Sequence, residues 1–336
     1  MFEGRRVAVV IPAYRAAATI EGVIEAVPQW VDHLIVVNDA SPDALADVLA
    51  RIADARLTVM THPKNLGVGG AVVTGYKVAL ERGCDIVVKL DADGQMDPRF
   101  IPDLLTPIVA EGFDFAKGNR FVFRDALRKM PRARLLGNIG LSVFVKMASG
   151  LWNSMDPTNG FFAITADTLK RINVEALAQD YFLECSQLIE LGIIGARIAD
   201  VPMSAVYAGE PSSLSVGRAL RTFLPRLARG TVYRLWVKYG LLRVHPILLL
   251  TPIGLLATLG GAVFGGYHWA KSVHTGHIAS AGTVRIAVAA VLVGLFCLAI
   301  ALVLDVLDAP APYSKGAMVP CRWTERWHGS DPGETH

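Results

Sequence analysis

The sequence predicts an α/β protein in which a wound, mostly parallel sheet is followed by basic amphipathic segments and two membrane-spanning helices. Short β-branched runs alternate with helical periodicity through the first part of the chain. Basic and aromatic residues then precede two long apolar runs. A mean hydropathy of +0.40 and a hydrophobic content of 52% also place part of the chain in lipid.

The alternation of strands and helices is clearest in the first 90 residues. Elements of this length imply a parallel sheet that carries helices on both faces. The predicted strands are 7–11, 34–37, 57–60 and 86–90, and the predicted helices are 19–27, 43–53 and 67 to about 82.

Two carboxylates, Asp91 and Asp93, directly follow the predicted strand 86–90. In open α/β sheets, ligands bind at the carboxyl ends of the strands. Hard oxygen ligands spaced in this way suit Mg²⁺ or Mn²⁺ that the protein holds jointly with a diphosphate. A calcium loop of the EF-hand type is excluded because Gly94 stands at loop position four and Pro102 at position twelve. A plain polar turn remains the alternative.

Polar or aromatic residues also follow the first two strands. Tyr14 and Asp39 offer a wall for a base and a carboxylate for base or ribose hydroxyls, although Asp39 also suits a turn or a helix N-terminus. The segment Gly67-Val-Gly69-Gly70 is not a dinucleotide fingerprint, because it follows a later strand and Val72 occupies the third glycine position. We expect it to let backbone and a helix N-terminus approach a bound nucleotide.

Two segments of the second half are basic and amphipathic. Residues 120–146 mix Arg and Lys with apolar residues, which is typical of an interfacial segment or of an ordinary surface helix. Residues 216–244 combine Arg and Lys with aromatic residues, which suits anionic lipid headgroups. Nucleic-acid binding is disfavoured, because long apolar runs follow at once.

The apolar runs predict a transmembrane hairpin within residues 245–308. No charged residue stands between Arg243 and Lys271, nor between Arg285 and Asp305. A bilayer crossing takes about 20 apolar residues, so we predict spans at about 246–270 and 285–305. The basic residues ahead of the first span predict a multi-pass protein of the cell (inner) membrane, with the preceding α/β part of the chain and a flexible tail, 309–336, on the cytoplasmic side.

A set of motifs, in order through residues 5–215, resembles one family. The motifs are Ile11-Pro-Ala-Tyr14, Val37-Asn-Asp39-Ala-Ser41, Asn65-Leu-Gly67-Val-Gly69, Asp91-Ala-Asp93-Gly-Gln95-Met-Asp97-Pro98, Lys117-Gly-Asn-Arg120-Phe, Met130-Pro-x-x-Arg134, Gly137-Asn138, Asp156-Pro-Thr-Asn159-Gly160-Phe, Tyr181-Phe-Leu-Glu184 and Asp200-Val-Pro202-Met. Together they resemble the inverting glycosyltransferases of family 2, and most of all the polyprenyl- (dolichyl-) phosphate hexose synthases.

This resemblance implies a GT-A catalytic domain, a Rossmann-like wound sheet, over residues 1–215. It implies hexose transfer from a UDP- or GDP-linked sugar to polyprenyl phosphate, with Mg²⁺ or Mn²⁺ as cofactor. Nucleotide-binding roles are implied for Pro12, Ala13, Tyr14, Asp39, Lys64, Gly67, Gly69 and Asp91. Metal coordination is implied for Asp91, Asp93 and Gln95. Catalytic or phosphate-contacting roles are implied for Asp91, Asp93, Asp156, Glu184, Arg120 and Arg134.

The sequence departs from the family pattern in two places. Arg15 and Ala16 stand where the family often shows Asn-Glu, and Ser186 stands where a second acid is expected near Glu184. The first departure leaves the nucleotide open. The sugar stays open because specificity rests on a few pocket contacts, and the sequence does not give the oligomeric state, a homo-oligomer included.

Two alternative functions stay open as well. One is a transferase that elongates a lipid-linked glycan at a sugar hydroxyl, for which Glu184 or Asp156 would be the general base. The other is a non-catalytic membrane scaffold. A processive polysaccharide synthase is not favoured, because the chain has no Gln-x-x-Arg-Trp motif and a single hairpin is too small for a polymer channel.

Overall fold

The computed structural model describes residues 1–120, 132–203 and 216–310, and these residues form one seven-stranded sheet with helices around it. The strand order across the sheet is β3-β2-β1-β4-β6-β5-β7. The strands are β1 (Val7–Ala13), β2 (His33–Asn38), β3 (Leu57–Thr61), β4 (Ile86–Lys89), β5 (Phe115–Asn119), β6 (Phe162–Thr165) and β7 (Ile198–Pro202).

The predicted wound, mostly parallel sheet is confirmed, with one strand of opposite direction. β1 pairs in parallel with β2 and β4, β2 with β3, and β5 with β7. β6 runs antiparallel to both β4 and β5, an arrangement that local sequence patterns did not reveal. In this register Phe162, the first residue of β6, lies opposite both Lys89 and Lys117. The loop before β6 therefore lies at the carboxyl ends of β4 and β5.

The structure describes ten α-helices, and those that the sequence predicted begin and end near the expected positions. They are α1 (Ile20–Ala26), α2 (Leu45–Arg51), α3 (Gly67–Glu81), α4 (Ile101–Glu111), α5 (Arg132–Ser149), α6 (Ala166–Arg171), α7 (Leu183–Ile193), α8 (Val216–Trp236), α9 (Ile247–Thr275) and α10 (Ala281–Leu307). A π-helical segment, Val237–Leu241, continues α8.

Each face of the sheet carries its own hydrophobic core. Side chains alternate along β1, so that Val7 and Val9 enter one core and Ala8 and Val10 the other. Helices α1, α2 and α4 cover the first core, and α3, α5, α7 and α8 cover the second. Burying a Val or Ile side chain stabilises a fold by about 1.5–3 kcal/mol, so these strands hold the sheet between its helix layers.

Helix α5 has apolar residues on two sides. Leu141 and Val145 are buried in the core, whereas Ile139 and Phe144 are exposed. The segment predicted to be interfacial is therefore docked on the sheet while a second apolar side faces outward. The part of that prediction in residues 121–131 lies outside the described residues.

Helices α9 and α10 pack against each other through a seam of small residues. A side chain on Gly261 would place its Cβ 2.9 Å from Ala290 Cβ, and one on Gly294 would place its Cβ 2.5 Å from the backbone nitrogen of Thr258. Close backbone approach of this kind is typical of helix pairs in membranes. Gly261 therefore lies on the face of α9 that packs against α10.

Both helices of the hairpin are candidate membrane spans by length and composition. Large apolar side chains such as Leu256, Val263 and Phe296 are exposed along them. A core helix of a soluble protein would bury such side chains. The exposed apolar surface therefore agrees with the predicted hairpin.

The basic segment ahead of the hairpin requires a correction. Arg234 and Lys238 belong to the segment that was expected to meet lipid headgroups, but both residues are buried and only 1% exposed to solvent. Arg234 pairs with Asp305 at 2.7 Å, and Lys238 pairs with Asp308 at 2.7 Å. Burying a charge is unfavourable unless it is paired, and these partners at the end of α10 supply the pairing.

Candidate active site

The predicted site residues follow strands that end at the same edge of the sheet. Tyr14 follows β1, Asp39 follows β2, Asp91 follows β4 and Arg120 follows β5. These four strands all run in the same direction. β6 lies antiparallel between β4 and β5, so the residues that precede it, 156–161, lie at the same edge. The fold therefore brings together residues that are far apart in the sequence.

At the centre of this edge, Asp91 contacts a lysine that sequence analysis did not select. Lys89 is the last residue of β4 and is 1% exposed. Its Nζ lies 2.6 Å from Asp91 Oδ1 and 3.5 Å from Oε1 of Glu184, at the start of α7. Burial by itself would lower the pKa of Lys89, but the two carboxylates outweigh that effect and raise it. Lys89 is therefore a buried ammonium between two acids.

The lysine and the two acids surround Gly160. A Cβ at Gly160 would lie 2.5 Å from Lys89 Nζ, 3.2 Å from Glu184 Oε1 and 3.3 Å from Asp91 Oδ2. A side chain there would displace the cluster, so the glycine of the predicted Asp-Pro-Thr-Asn-Gly motif provides space. The signal for Lys89 was present in the sequence, since a lysine in an otherwise apolar strand requires a buried partner.

Asp93 and Gln95 lie in the turn that follows Asp91. Gly94 adopts a φ of +75°, and the Gln95 backbone N–H donates to Asp93 Oδ1 at 2.9 Å. Asp93 is exposed as a residue, but partial cover of its carboxyl group raises its pKa, and the charge of Asp91 raises it further. Asp91 and Asp93 therefore lie close enough for their charges to interact.

The residues of this turn fit a site for a divalent cation that needs further ligands. Asp91, Asp93 and Gln95 carry oxygen atoms, which Mg²⁺ and Mn²⁺ prefer. Within the described ranges, no group of three or more His, Cys, Asp or Glu residues is arranged to hold a metal. Such a cation would take its remaining ligands from water and from a bound diphosphate, which is common for Mg²⁺.

A second buried ion pair joins Asp156 to Arg120. Asp156 is fully buried and accepts hydrogen bonds from Arg120 Nε at 2.7 Å and from Arg120 Nη2 at 2.8 Å. Lys117 Nζ donates to the backbone oxygens of Met155 and Asp156. Burial would raise the pKa of Asp156, but Arg120 and then Lys117 hold it below the usual value.

This pairing changes the expected role of Asp156. A general base must reach a proton on the substrate. Asp156 is inaccessible, ionised and held by Arg120, so it is unsuited to act as the base that the hydroxyl-acceptor alternative assigned to it. Its geometry instead fixes the guanidinium of Arg120 at the sheet edge by a two-point contact.

Asp39 is similarly committed to internal contacts. It is 2% exposed, and its oxygens accept from the backbone N–H groups of Leu66 and Gly67 at 2.8 Å each. His62 Nδ1 lies 2.7 Å from the same carboxylate. Asp39 thus has the helix N-terminal role that was the alternative at that position. A contact with a nucleotide stays a prediction.

The glycine-rich segment requires another correction. Gly67 and Gly69 were expected to bring the backbone close to a nucleotide, but the space at both is filled by protein. A Cβ at Gly69 would lie 1.9 Å from the backbone oxygen of Ala178, and one at Gly67 would lie 2.4 Å from that of Gln179. The Gly69 N–H already donates to Gln179 O at 2.8 Å. These glycines admit the loop 178–180.

Of the residues around the end of β1, Tyr14 offers the accessible surface. Its ring is 44% exposed and lies 5.4 Å from the Arg15 guanidinium carbon. Pro12 and Ala13 are buried in β1 and pair with β2, so their side chains do not reach the surface. Lys64 is exposed.

The last predicted site residue is Arg134. It belongs to α5, but its side chain lies outside the described part of the structure. Its expected contact with phosphate stays a prediction.

Comparison with known proteins identifies the family to which the chain belongs. Residues 8–172 match the model of glycosyl transferase family 2. The undecaprenyl-phosphate mannosyltransferase of Micrococcus luteus is 32% identical over 60% of this chain and 84% of that protein. The UDP-N-acetylglucosamine–dolichyl-phosphate N-acetylglucosaminyltransferase of Methanococcus voltae is 29% identical over 59% of this chain and 84% of that protein.

A solved structure of glucosyl-3-phosphoglycerate synthase from Mycobacterium tuberculosis, in complex with Mn²⁺ and UDP-glucose, aligns at 23% identity. It covers 70% of this chain and 80% of that one, with a TM-score of 0.48. The family match includes the strands that carry the acid loop, and the Micrococcus luteus relative is matched over most of its length. On these grounds, the chain belongs to glycosyltransferase family 2.

Proposed function

We propose that this protein transfers a hexose from a nucleotide-diphosphate sugar to polyprenyl phosphate, with inversion, at the cytoplasmic face of the membrane. The single observation that carries the proposal is the cluster of Lys89, Asp91 and Glu184 at the sheet edge, in a chain that also carries an exposed apolar hairpin. The relatives named above support a lipid phosphate as acceptor, because both names specify one.

The acid loop would receive the diphosphate of the donor. Asp91 and Asp93, with Gln95, would hold Mg²⁺ or Mn²⁺, which when bound neutralises negative charge on the departing diphosphate. Lys89 Nζ binds Oδ1 of Asp91, so the Asp91 carboxylate is held in one orientation in the acid loop. Tyr14 would provide the wall for the base, since it is the exposed aromatic side chain at the end of β1.

The acceptor would react without a protein base. A phosphate monoester has a second pKa near 6, so its oxygen is already anionic at neutral pH. That oxygen forms a bond to the anomeric carbon, while the bond from this carbon to the diphosphate breaks and its electron pair leaves on the diphosphate. Attack from the opposite side inverts the anomeric centre, and no proton has to move.

Positioning of the acceptor phosphate would then fall to arginines. Arg120 is fixed by Asp156, and Arg134 is carried by α5. This arrangement favours a phosphate acceptor over a sugar hydroxyl, because a hydroxyl needs a base and the buried Asp156 is unsuited to that role. Glu184 is also engaged, since it neutralises Lys89 together with Asp91.

The proposal is tested with purified protein and a matrix of donors and acceptors. UDP-glucose, UDP-N-acetylglucosamine and GDP-mannose are each offered with polyprenyl phosphate and, separately, with a lipid-diphosphate sugar, in the presence of Mg²⁺ or Mn²⁺. We expect one donor to be transferred to polyprenyl phosphate. Transfer to the lipid-diphosphate sugar alone would show that the acceptor is a hydroxyl, and absence of donor binding would favour the scaffold.

The metal role is tested with Asp93→Ala and with chelator. Both should abolish transfer, because the diphosphate would then leave without charge compensation. The matched control is Asp167→Ala, which removes an exposed carboxylate from α6, far from the acid loop in sequence, and should transfer normally. Near-normal transfer by Asp93→Ala in chelated buffer would contradict a metal at this site.

A further inference from the structure

The hairpin is joined to the catalytic domain through one buried carboxylate. Asp305 lies in the last turn of α10 and is 6% exposed. An ionisable residue near the end of an apolar membrane helix is unfavourable unless it has partners, and it often marks a functional position. The partners of Asp305 therefore indicate what the residue does.

Every described hydrogen-bond partner of Asp305 comes from outside the hairpin. Arg234 Nη1 and Tyr239 Oη lie 2.7 Å from Oδ1. Arg234 Nη2 and Trp152 Nε1 lie 3.0 Å from Oδ2. Each oxygen thus accepts two hydrogen bonds. We call Asp305, Arg234, Tyr239 and Trp152 the clasp.

Arg234 extends the clasp to helix α5. Its Nε donates to Ala148 O at 2.9 Å and its Nη2 to Met147 O at 3.0 Å, so the guanidinium also binds carbonyls of the last turn of α5. Gly150, with a φ of +70°, makes room for it, because a Cβ there would lie 2.5 Å from Arg234 Nη1. One side chain therefore links the membrane helix to the C-terminal end of α5.

Helix α5 connects the clasp, at its C-terminal end, with the turn that carries Arg134, to which the proposed function assigns the acceptor phosphate. It spans 18 residues, or about 27 Å at 1.5 Å per residue, and its first turn carries Arg134. A helix transmits a displacement at one end to the other. The position of α10 in the bilayer is thus coupled to the position of the arginine end of the site.

We infer that Asp305 is a positioning residue, which through Arg234 sets the depth and orientation of the acceptor site relative to the bilayer. The inference rests on the proposed function, since it assumes an acceptor whose phosphate lies in the headgroup plane. A second contact supports it, because Asp308 binds Lys238 at 2.7 Å and Arg243 at 3.1 Å beside the clasp. The C-terminal end of α10 then orients the catalytic domain in addition to anchoring it.

The inference is tested by comparing two acceptors in Asp305→Asn. One acceptor is long-chain polyprenyl phosphate embedded in phosphatidylglycerol–phosphatidylethanolamine vesicles, and the other is geranyl phosphate, which reaches the site from water. We expect kcat/KM for the embedded acceptor to fall by about a hundredfold, as for a reacting group displaced by about 1 Å. The kcat for geranyl phosphate and the KM for the donor should stay within about twofold of the wild-type values.

Milder variants keep the test decisive should Asp305→Asn fail to fold. Tyr239→Phe and Trp152→Phe each remove one donor to the carboxylate. Each should lower the ratio of activity with the embedded acceptor to activity with geranyl phosphate, by a smaller amount than Asp305→Asn. Arg285→Gln removes a charge from the opposite end of α10 and should leave the ratio unchanged. Equal losses on both acceptors, or no loss on either, would overturn the inference. A wild-type protein that uses neither acceptor would instead refute the proposed function.

Discussion

Replacing Lys89 by methionine is expected to destabilise the catalytic domain and to abolish transfer. Methionine keeps much of the length and volume of the lysine but removes the ammonium that lies 2.6 Å from Asp91. Asp91 and Glu184 then face each other without the cation, while Asp91 loses the contact that fixes its orientation. Stability and turnover should therefore fall together.

The size of the effect follows from the burial of the three groups. Removing one partner of a buried ion pair costs about 3–5 kcal/mol. Lys89 is almost fully buried, but the side chains of Asp91 and Glu184 are 29% and 16% exposed, so water reaches both acids. We therefore expect the free energy of unfolding to fall by about 3 kcal/mol, the lower end of this range. In a domain of about 200 residues this lowers the melting temperature by about 6–12 °C.

The assay is thermal unfolding of the purified protein in detergent, with Lys77→Met as the matched control. Lys77 also pairs with a carboxylate, Glu175 at 2.6 Å, but both side chains are more than half exposed. Exposed pairs contribute about 0–1 kcal/mol, so this control should melt close to the wild type.

A double variant tests whether the acids are the cause. Lys89→Met combined with Glu184→Gln leaves one unpaired carboxylate instead of two, so it should lose less stability than the sum of the single variants. Strict additivity of the two effects, or a Lys89→Met protein that melts within about 2 °C of the wild type, would refute the reasoning.

Two further predictions concern the hairpin and the buried acid beside β5. Gly261→Leu should speed unfolding of the hairpin in sodium dodecyl sulfate, because its side chain would meet α10, whereas Gly260→Leu faces open space and should be neutral. Equal effects would contradict the observed seam. Asp156→Asn, which tolerates the φ of +50°, should lower the melting temperature at pH 7. The folded pKa of this acid is depressed, so its contribution is present above the unfolded value near 3.9 and is lost as pH falls through the folded value. The difference from wild type should therefore shrink below about pH 4, and a constant difference would refute the assignment.

Local patterns were sufficient for much of the fold. The strands β1 to β4 and the helices between them are short amphipathic or buried runs separated by turn residues, and each is encoded within at most 15 residues of sequence. The two candidate membrane spans are encoded in the same local way, by length and the absence of charge. The edge of the sheet that carries the candidate site was also predictable, because parallel strands have their carboxyl ends at the same edge.

The partners of buried charges were not predictable in this way. Glu184 lies 95 residues along the chain from Lys89, and Asp305 lies 71 residues from Arg234. No periodicity reports such pairs. Gly67 and Gly69 were assigned to a ligand for the same reason, because the loop 178–180 that contacts them is distant in sequence. Asp39 was also assigned to a ligand, although its partners lie in and before α3. A lone charge in an apolar strand or helix predicts that a partner exists without identifying it.

The antiparallel strand β6 has a consequence for synthesis of the chain. The four strands β3-β2-β1-β4 are complete once residue 89 has emerged, but β6, which covers the open edge of β4, ends at Thr165. At about 5–20 residues per second, the ribosome needs roughly 4–15 s to supply the intervening chain. During that interval β4 presents unpaired backbone groups beside apolar side chains, a template for aggregation. When β6 pairs with β4, it covers this edge and at the same time brings Gly160 next to Lys89. Protection of the nascent sheet and assembly of the candidate active site therefore coincide.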